Sequence, residues 1–454
     1  MGIVINILAF IAAIAILVAI HEFGHFWVAK KMGVKVLRYS IGFGRPLWKR
    51  QASPDDTEYV VAAIPLGGYV KMLDEREGEV AKHELDQAFN RKPVSKRFAI
   101  VAAGPIFNFL FAIAAYALMY MVGVSGMKPV IGTVEPGSMA AEAGLMSDMQ
   151  IEQVNGEVVE SWEEAALTLI DQALDSGQVT LQVRSDRGQS THQLDLSDTR
   201  QLLGSGESDF LQVMGIIPWR PELPAKFGKI IRNDPAEQAG LKPGDEILEA
   251  NGQTFTDWNA WVEFVRARPD ETLDLTILRD GKKLTLKLHT VRHEAEGKVI
   301  GRIGAAPYVD REMYKDMAVN VRYGPIKSFT RGVKQTWKMS VLIVRVLWKM
   351  ITGEASVKNI SGPITIAEFA GVSAMVGVSA FLGFLALISV SLGVMNLLPV
   401  PVLDGGHLFF YLIEMVKGSP VSETTEAIGQ RIGLALLGGL MFLAFYNDIT
   451  RLMN

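Results

Sequence analysis

Two histidines and a glutamate close what is otherwise an uncharged, largely apolar run: His21-Glu22-Phe23-Gly24-His25 follows directly on Ile3 to Ile20. Ionisable side chains at membrane depth are costly and are retained where they serve a function. At helical spacing the histidines fall at i and i+4, one above the other on a single face. In that arrangement two imidazoles bind one zinc ion and the adjacent carboxylate reaches its water. A five-residue pattern with three fixed positions also arises by chance. The rest of the chain must therefore supply what the motif lacks, a third ligand and a cavity to hold it.

The chain is apolar enough to provide that setting. Its 454 residues are 49% hydrophobic with a mean hydropathy of +0.21, which predicts a membrane protein carrying a soluble part. A net charge of −4 gives no footing for nucleic acid as a partner. Cysteine is absent, so disulfides, thiol catalysis and cysteine-held zinc are excluded, and a metal must sit on His, Asp and Glu. The first apolar run has no basic residue before it and no small-residue cleavage site after it, and reads as a retained span. Further spans are expected at Phe98 to Val124, about Ala374 to Leu398, and about Ile428 to Tyr446. The loop after the first span is strongly basic, from Lys30 and Lys31 through Arg45, Lys49 and Arg50 to Lys96 and Arg97. The positive-inside rule makes it cytoplasmic and puts the amino terminus outside.

Within that loop Ile41 to Gly44 and Tyr59 to Met72 have strand composition punctuated by glycine, and neither is long enough to span. They fit a hairpin dipping into the protein's own interior, with an edge open to an extended substrate, and equally an ordinary cytoplasmic hairpin. From Lys128 to about Pro307 the chain turns polar and repetitive. Ala143-Gly144-Leu145, Asn155-Gly156 and Trp162 recur at a constant offset of 96 residues as Ala239-Gly240-Leu241, Asn251-Gly252 and Trp258. Both copies resemble bacterial PDZ domains, through the Ala-Gly-Leu helix start, the Lys242-Pro243-Gly244-Asp245 turn and the Asn-Gly hairpin. The first copy departs where Asp148-Met149 replaces Gly244-Asp245, which leaves its turn open. PDZ modules bind a peptide or a free carboxyl terminus by strand addition, and spacers of the same fold need bind nothing. Pro325 to Thr352 mixes Lys327, Arg331, Lys334, Lys338, Arg345 and Lys349 with Phe329, Trp337 and Trp348, the pattern of a helix lying in a membrane interface, the plainer alternative being a helix packed on a PDZ domain.

The third predicted span ends in Asn396-Leu397-Leu398-Pro399-Val400-Pro401-Val402-Leu403-Asp404-Gly405-Gly406-His407. Prolines at alternate positions stop a helix and free backbone groups, which at membrane depth is tolerated only around a protein-lined cavity. By the topology above, this break lies at the depth of His21 and His25. Asp404 is then the expected third ligand of a zinc site whose fourth position is left to water. His407, beyond the Gly-Gly turn, is the weaker competitor. Gly104 and Asn108 lie at i, i+4 in the second span, where Gly104 suits close helix packing and Asn108 offers a hydrogen bond near the metal.

Taken together these stretches resemble the site-2 protease family of intramembrane zinc metalloproteases. The resemblance rests on His21 to His25, Ile64 to Met72, Gly104-Pro105-Ile106-Phe107-Asn108, the tandem PDZ copies and Asn396 to Gly405. It implies an α-helical membrane domain of four transmembrane helices with a membrane-dipping β-hairpin, plus two β-rich PDZ domains. The expected division is 1–127 for two helices and the loop, 128–221 and 222–308 for the PDZ domains, 322–375 for an interfacial amphipathic region, and 376–454 for the last two helices. It further implies Zn2+ on His21, His25 and Asp404, with Glu22 as catalytic base. Tyr69, Gly68, Asn396, Pro399, Pro401 and Asn108 would hold substrate. The substrates would be single-pass membrane proteins, typically an anti-sigma factor already trimmed outside, in a bacterial inner membrane with the PDZ domains in the periplasm. The rival expectations are a PDZ-bearing membrane scaffold with a vestigial metal site, and an ion pathway.

Overall fold

The computed structural model describes residues 2–53, 55–175, 177–196, 211–295, 298–353 and 361–453. These fall into two compact units. One comprises the two chain ends, up to Ser125 and from Asn320, and the other most of Gly126 to Val319.

The first unit is helical around one small sheet. Helices α1 (Gly2–Lys31), α2 (Val94–Val122), α3 (Pro325–Thr352), α4 (Pro363–Val376), α5 (Val378–Leu397), α6 (Asp404–Lys417) and α7 (Glu423–Met453) account for most of it. Four of these, α1, α2, α5 and α7, are long and apolar enough to cross a membrane. Glycine sets how closely they approach. A Cβ on Gly24 of α1 would stand 2.5 Å from the Ala103 carbonyl of α2, so the unnamed fourth position of the histidine motif is also a helix-crossing point. α5 lies along α2, with the Ser389 hydroxyl donating to the Asn108 carbonyl at 2.8 Å.

The third span starts later than its hydropathy suggests. Gly377, at φ +141°, breaks the helix and detaches α4 as a separate apolar helix against α1, where Gly371 meets Asn6. The stretch 322–375 thus holds two unlike helices rather than one amphipathic region. α3 packs on α2 through Gly332, below the Ile113 carbonyl, while Ile326, Phe329, Trp337 and Trp348 remain exposed. Helix α7 grips the start of α4. The buried Asp448 carboxylate accepts from the Gly362 and Ile364 amides at 2.9 and 2.8 Å and from the Thr365 hydroxyl at 2.6 Å. These amides belong to a helix start with no partner of its own, so the carboxylate supplies the cap.

Between α1 and α2 the chain forms β1 (Val36–Arg50) and β2 (Glu58–Met72), each folded back on itself into a four-ribbon sheet. Gly42 and Gly44 take φ of +92° and +86°, and Gly67 takes +149°, at the bends. Ser40 stands between Val60 and Tyr69, Trp48 lies opposite Val61, and Gly68 to Met72 forms an edge. Among the described residues no strand pairs with the far side of that edge.

The second unit contains the repeat, and its copies share one topology. Gln150–Val154 pairs Gln178–Ser185, which pairs Gly188–Asp195; in the second copy Glu246–Ala250, Thr272–Arg279 and Lys282–His289 do the same. A two-stranded ladder completes each copy, Ile131–Val134 with Ile216–Pro218 and Phe227–Ile230 with Ala305–Pro307. The turn left open in the first copy is conserved in shape. Asp148 takes φ +64° where Gly244 takes +98°, and the Met149 sulfur accepts from the Met146 amide where the Asp245 carboxylate accepts from the Lys242 amide. Asp280-Gly281, at φ +50° and +74°, makes the two-residue hairpin expected of that dipeptide.

Candidate active site

The site is assembled by three helices and the edge of the sheet. α1 carries His21, Glu22 and His25 on consecutive turns, and the first residue of α6 is Asp404. His21 Nε2 lies 3.2 Å from Asp404 Oδ2, His25 Nε2 lies 3.4 Å from it, and the two Nε2 atoms are 3.2 Å apart. Two halves of the chain separated by more than three hundred residues therefore meet at one point.

The chemistry of that point can be decided from its protons. His25 Nδ1 lies 2.9 Å from the Ile100 carbonyl, which only accepts, so Nδ1 carries the proton and Nε2 presents a lone pair. Asp404 Oδ2 is buried with no hydrogen donor on it. Lone pairs converging in a dry pocket repel unless a cation lies among them. A tetrahedral zinc with bonds of about 2.0 to 2.1 Å sets its ligand atoms about 3.3 to 3.4 Å apart, which is the spacing found. The donor set fits zinc, and among the described residues it is the one cluster of three such groups.

His21 follows the same logic through Asn108. The asparagine side-chain amide lies 3.1 Å from His21 Nδ1, fully buried, and its Oδ1 has no partner. Ligation through Nε2 needs the proton on Nδ1, and then the amide oxygen, not the nitrogen, is the atom that faces it. With the amide turned that way, the orphaned oxygen and the histidine proton satisfy each other.

Space for the rings comes from α2. A Cβ on Gly104 would be 2.3 Å from His25 Nε2 and 2.7 Å from His21 Cε1, so this glycine does more than pack helices. On the other side Gly68 of β2 lies against Glu22, where a Cβ would meet its Cγ at 2.9 Å, bringing the free sheet edge to the carboxylate. The Tyr39 hydroxyl donates to the Ala19 carbonyl at 2.7 Å, and burial pushes its pKa up to about 12, so it stays a donor.

The remaining expected residues are placed less centrally. Tyr69 turns its side chain to Arg38, whose guanidinium donates to the hydroxyl at 3.0 Å, and to a stacked Phe43. Asn396 is half-buried in the last turn of α5, and Pro399 is exposed just beyond it. Pro401 faces α7, where a Cβ on Gly433 would collide with its carbonyl and one on Gly429 would crowd its ring. His407 points to Glu426 at 3.9 Å, away from the three converging atoms. Residue reading missed Gly24, the Ile100 carbonyl and the pair Gly429 and Gly433. The last had a visible signal, since Gly-x-x-x-Gly in an apolar helix marks close packing; a backbone carbonyl leaves none.

A helix-borne His-Glu-x-x-His facing a distant carboxylate, among helices apolar enough to cross a bilayer, defines the intramembrane metalloproteases. The chain belongs to peptidase family M50, whose profile matches residues 9–440. It is 43% identical over 449 residues to the regulator of sigma E protease of Salmonella typhi, covering 98% of this chain and 99% of that one. It is 42% identical over 447 residues to the regulator of sigma-E protease RseP of Escherichia coli K12, with coverage of 98% and 99%. Protease RseP of Yersinia pestis is 43% identical over 455 residues and the whole of both chains. Among solved structures, the PDZ domain of the SdrC-like protein of Listeria monocytogenes matches 20% of this chain and 90% of that domain, at 15% identity and a TM-score of 0.16. The chain is an intramembrane zinc metalloprotease of the inner membrane, crossing it more than once.

Proposed function

We propose that His21, His25 and Asp404 hold the zinc, that Glu22 is the catalytic base, and that the free edge at Gly68 to Met72 receives substrate as an extended strand. The convergence of two imidazole nitrogens and a donor-less carboxylate oxygen within 3.2 to 3.4 Å of one another carries this reading. When bound, zinc would supply a Lewis acid that makes water far more acidic, and so nucleophilic near neutral pH. Glu22, one residue from a ligand, accepts the proton of the attacking water and returns it to the leaving amine, a role worth about 100-fold to 10,000-fold. A substrate helix hides its backbone in i to i−4 hydrogen bonds and must unwind before attack. Each backbone group freed and left unpaired in the site costs about 1 to 3 kcal/mol. The open groups of Gly68 to Met72 pair with these, Asn396 supplies a further amide, and Pro399 borders the entry.

The same reading makes the sheet membrane-dipping, in keeping with exposed Phe43, Leu47, Trp48 and Ile64 at its tip. α3, with basic residues beside exposed tryptophans, lies in the membrane interface. The basic loop faces the cytoplasm, and the PDZ copies and both termini face the periplasm. The substrate is a single-pass membrane protein already shortened outside, on our reading an anti-sigma factor, and the relatives are named as regulators of sigma E. The PDZ copies either bind the new carboxyl terminus or exclude untrimmed chains. The test is to incubate purified protein in detergent with a panel of transmembrane segments, with and without a zinc chelator, and to map products by mass spectrometry. Cleavage that survives chelation overturns the mechanism. Asn396→Ala should slow a stable helix more than a helix-weakened one, and equal slowing removes that residue from substrate handling.

A further inference from the structure

Asp404 is delivered to the site by α6, and nothing in the Pro-rich break alone fixes where that helix points. Its first turn is wedged by close backbone contact: a Cβ on Gly405 would lie 2.2 Å from the Leu398 carbonyl, and one on Gly406 2.5 Å from that of Val400. Its far end is held by an ion pair. Arg97 Nη2 of α2 lies 2.5 Å from Glu414 Oε1 of α6, and each side chain is only 14% exposed. The Arg97 guanidinium also sits 4.9 Å from the centre of the Tyr411 ring and donates through Nε to the Lys92 carbonyl at 3.1 Å. Tyr411 in turn packs in one cluster with Phe26, Ala29 and Ile100.

The placement on α2 matters most. Ile100, whose carbonyl orients His25, is three residues from Arg97, so one turn of α2 carries the hold on the histidine helix and the hold on the aspartate helix. Buried ion pairs add little net stability over an apolar substitute, yet breaking one strands a charge. What such a pair does supply is direction, because a guanidinium and a carboxylate meet in few geometries. Glu414 lies ten residues along α6 from Asp404, about 15 Å at 1.5 Å per residue, so a tilt at that end moves the carboxylate.

We propose that Arg97 and Glu414, with Tyr411 against the guanidinium, are positioning residues that keep Asp404 in register with His21 and His25. The proposal rests on those three residues being the zinc ligands, and the experiment separates the two. Zinc affinity of the purified full chain is measured by competition with a chromophoric chelator for the parent, Glu414→Gln, Asp404→Ala and the double variant. Groups that touch a metal ligand directly are typically worth about 10-fold to 100-fold in affinity, which bounds what a hold at the far end of α6 can supply. Glu414→Gln is expected to weaken binding by up to about 10-fold, and to add nothing in the Asp404→Ala background. Exchanging the charges, Arg97→Glu with Glu414→Arg, should recover part of the loss. Parental affinity in Glu414→Gln, or an equal loss with and without Asp404, overturns the positioning role; the latter outcome means a general loosening of the fold. Unchanged affinity in Asp404→Ala overturns the ligand assignment instead.

Discussion

Replacing Gly104 with alanine tests the metal site at its tightest point. The added methyl carbon would stand 2.3 Å from His25 Nε2, 2.6 Å from its Cε1 and 2.7 Å from His21 Cε1. Carbon and nitrogen pack at about 3.5 Å or more, so the His25 ring must retreat by about 1 Å. Metal–ligand distances tolerate only about 0.2 Å, and a 1 Å misplacement in an active site costs on the order of 100-fold in rate. Folding is affected far less. Alanine gains about 1 kcal/mol over glycine in a helix interior, against about 1 to 3 kcal/mol for overpacking. Gly104→Ala should therefore insert and unfold much as the parent does, while zinc per chain after dialysis and the cleavage rate both fall sharply. Gly439→Ala is the matched control, since nothing lies within 4 Å of a Cβ there. A Gly104→Ala protein that keeps parental zinc affinity and cuts within twofold of the parental rate would show that the rings do not meet a metal where they lie.

Other substitutions probe separate steps. Glu22→Gln should keep zinc at parental stoichiometry and slow cleavage by about 100-fold to 10,000-fold, measured as metal content beside product formation. Val402 is a β-branched residue at φ +119°, a conformation costing about 1 to 3 kcal/mol, so Val402→Gly should raise resistance to thermal unfolding by on the order of 1 kcal/mol; a lower unfolding temperature refutes the strain. In the second PDZ copy burial pushes the Asp245 carboxyl up, but Arg279 at 2.6 and 2.7 Å and the Lys242 amide outweigh it and hold the pKa below the usual range. A depressed folded pKa contributes stability that is present above the ordinary carboxylate range, near 4, and is lost as pH falls through the folded value. Hydrogen exchange in Glu246–Ala250, compared at each pH with Gln150–Val154 of the Met149 copy, should rise selectively in acid, and Asp245→Asn should abolish the difference.

What could be read without coordinates was whatever periodicity and turn chemistry encode locally. The His21 and His25 pairing, the Asn-Gly and Asp-Gly hairpins and the doubling of the soluble part all belong to that kind. Asp404 was legible because topology and a proline break together placed it at the right depth. The break at Gly377 was hidden, since α4 and α5 are both apolar and hydropathy runs across them. The Asn108 amide gave its presence but not its sense, which follows only from which nitrogen of His21 carries the proton. Arg97 looked like one more cytoplasmic cation, because a charge count along the chain cannot show that Glu414 lies beside it.

The seam between α1 and α2 has a bearing on biosynthesis. Gly24 under the Ala103 carbonyl and Gly104 under the two imidazoles let the first two helices close on each other as soon as both have been made. Asp404 follows only after the repeats and three further helices, α3, α4 and α5, have left the ribosome. On the proposed ligand set, a nascent chain carries Glu22 and two nitrogen donors through the translocation machinery before the third ligand is made. The order of the polypeptide itself acts as a delay, and cutting power arrives only when nearly the whole molecule is in place.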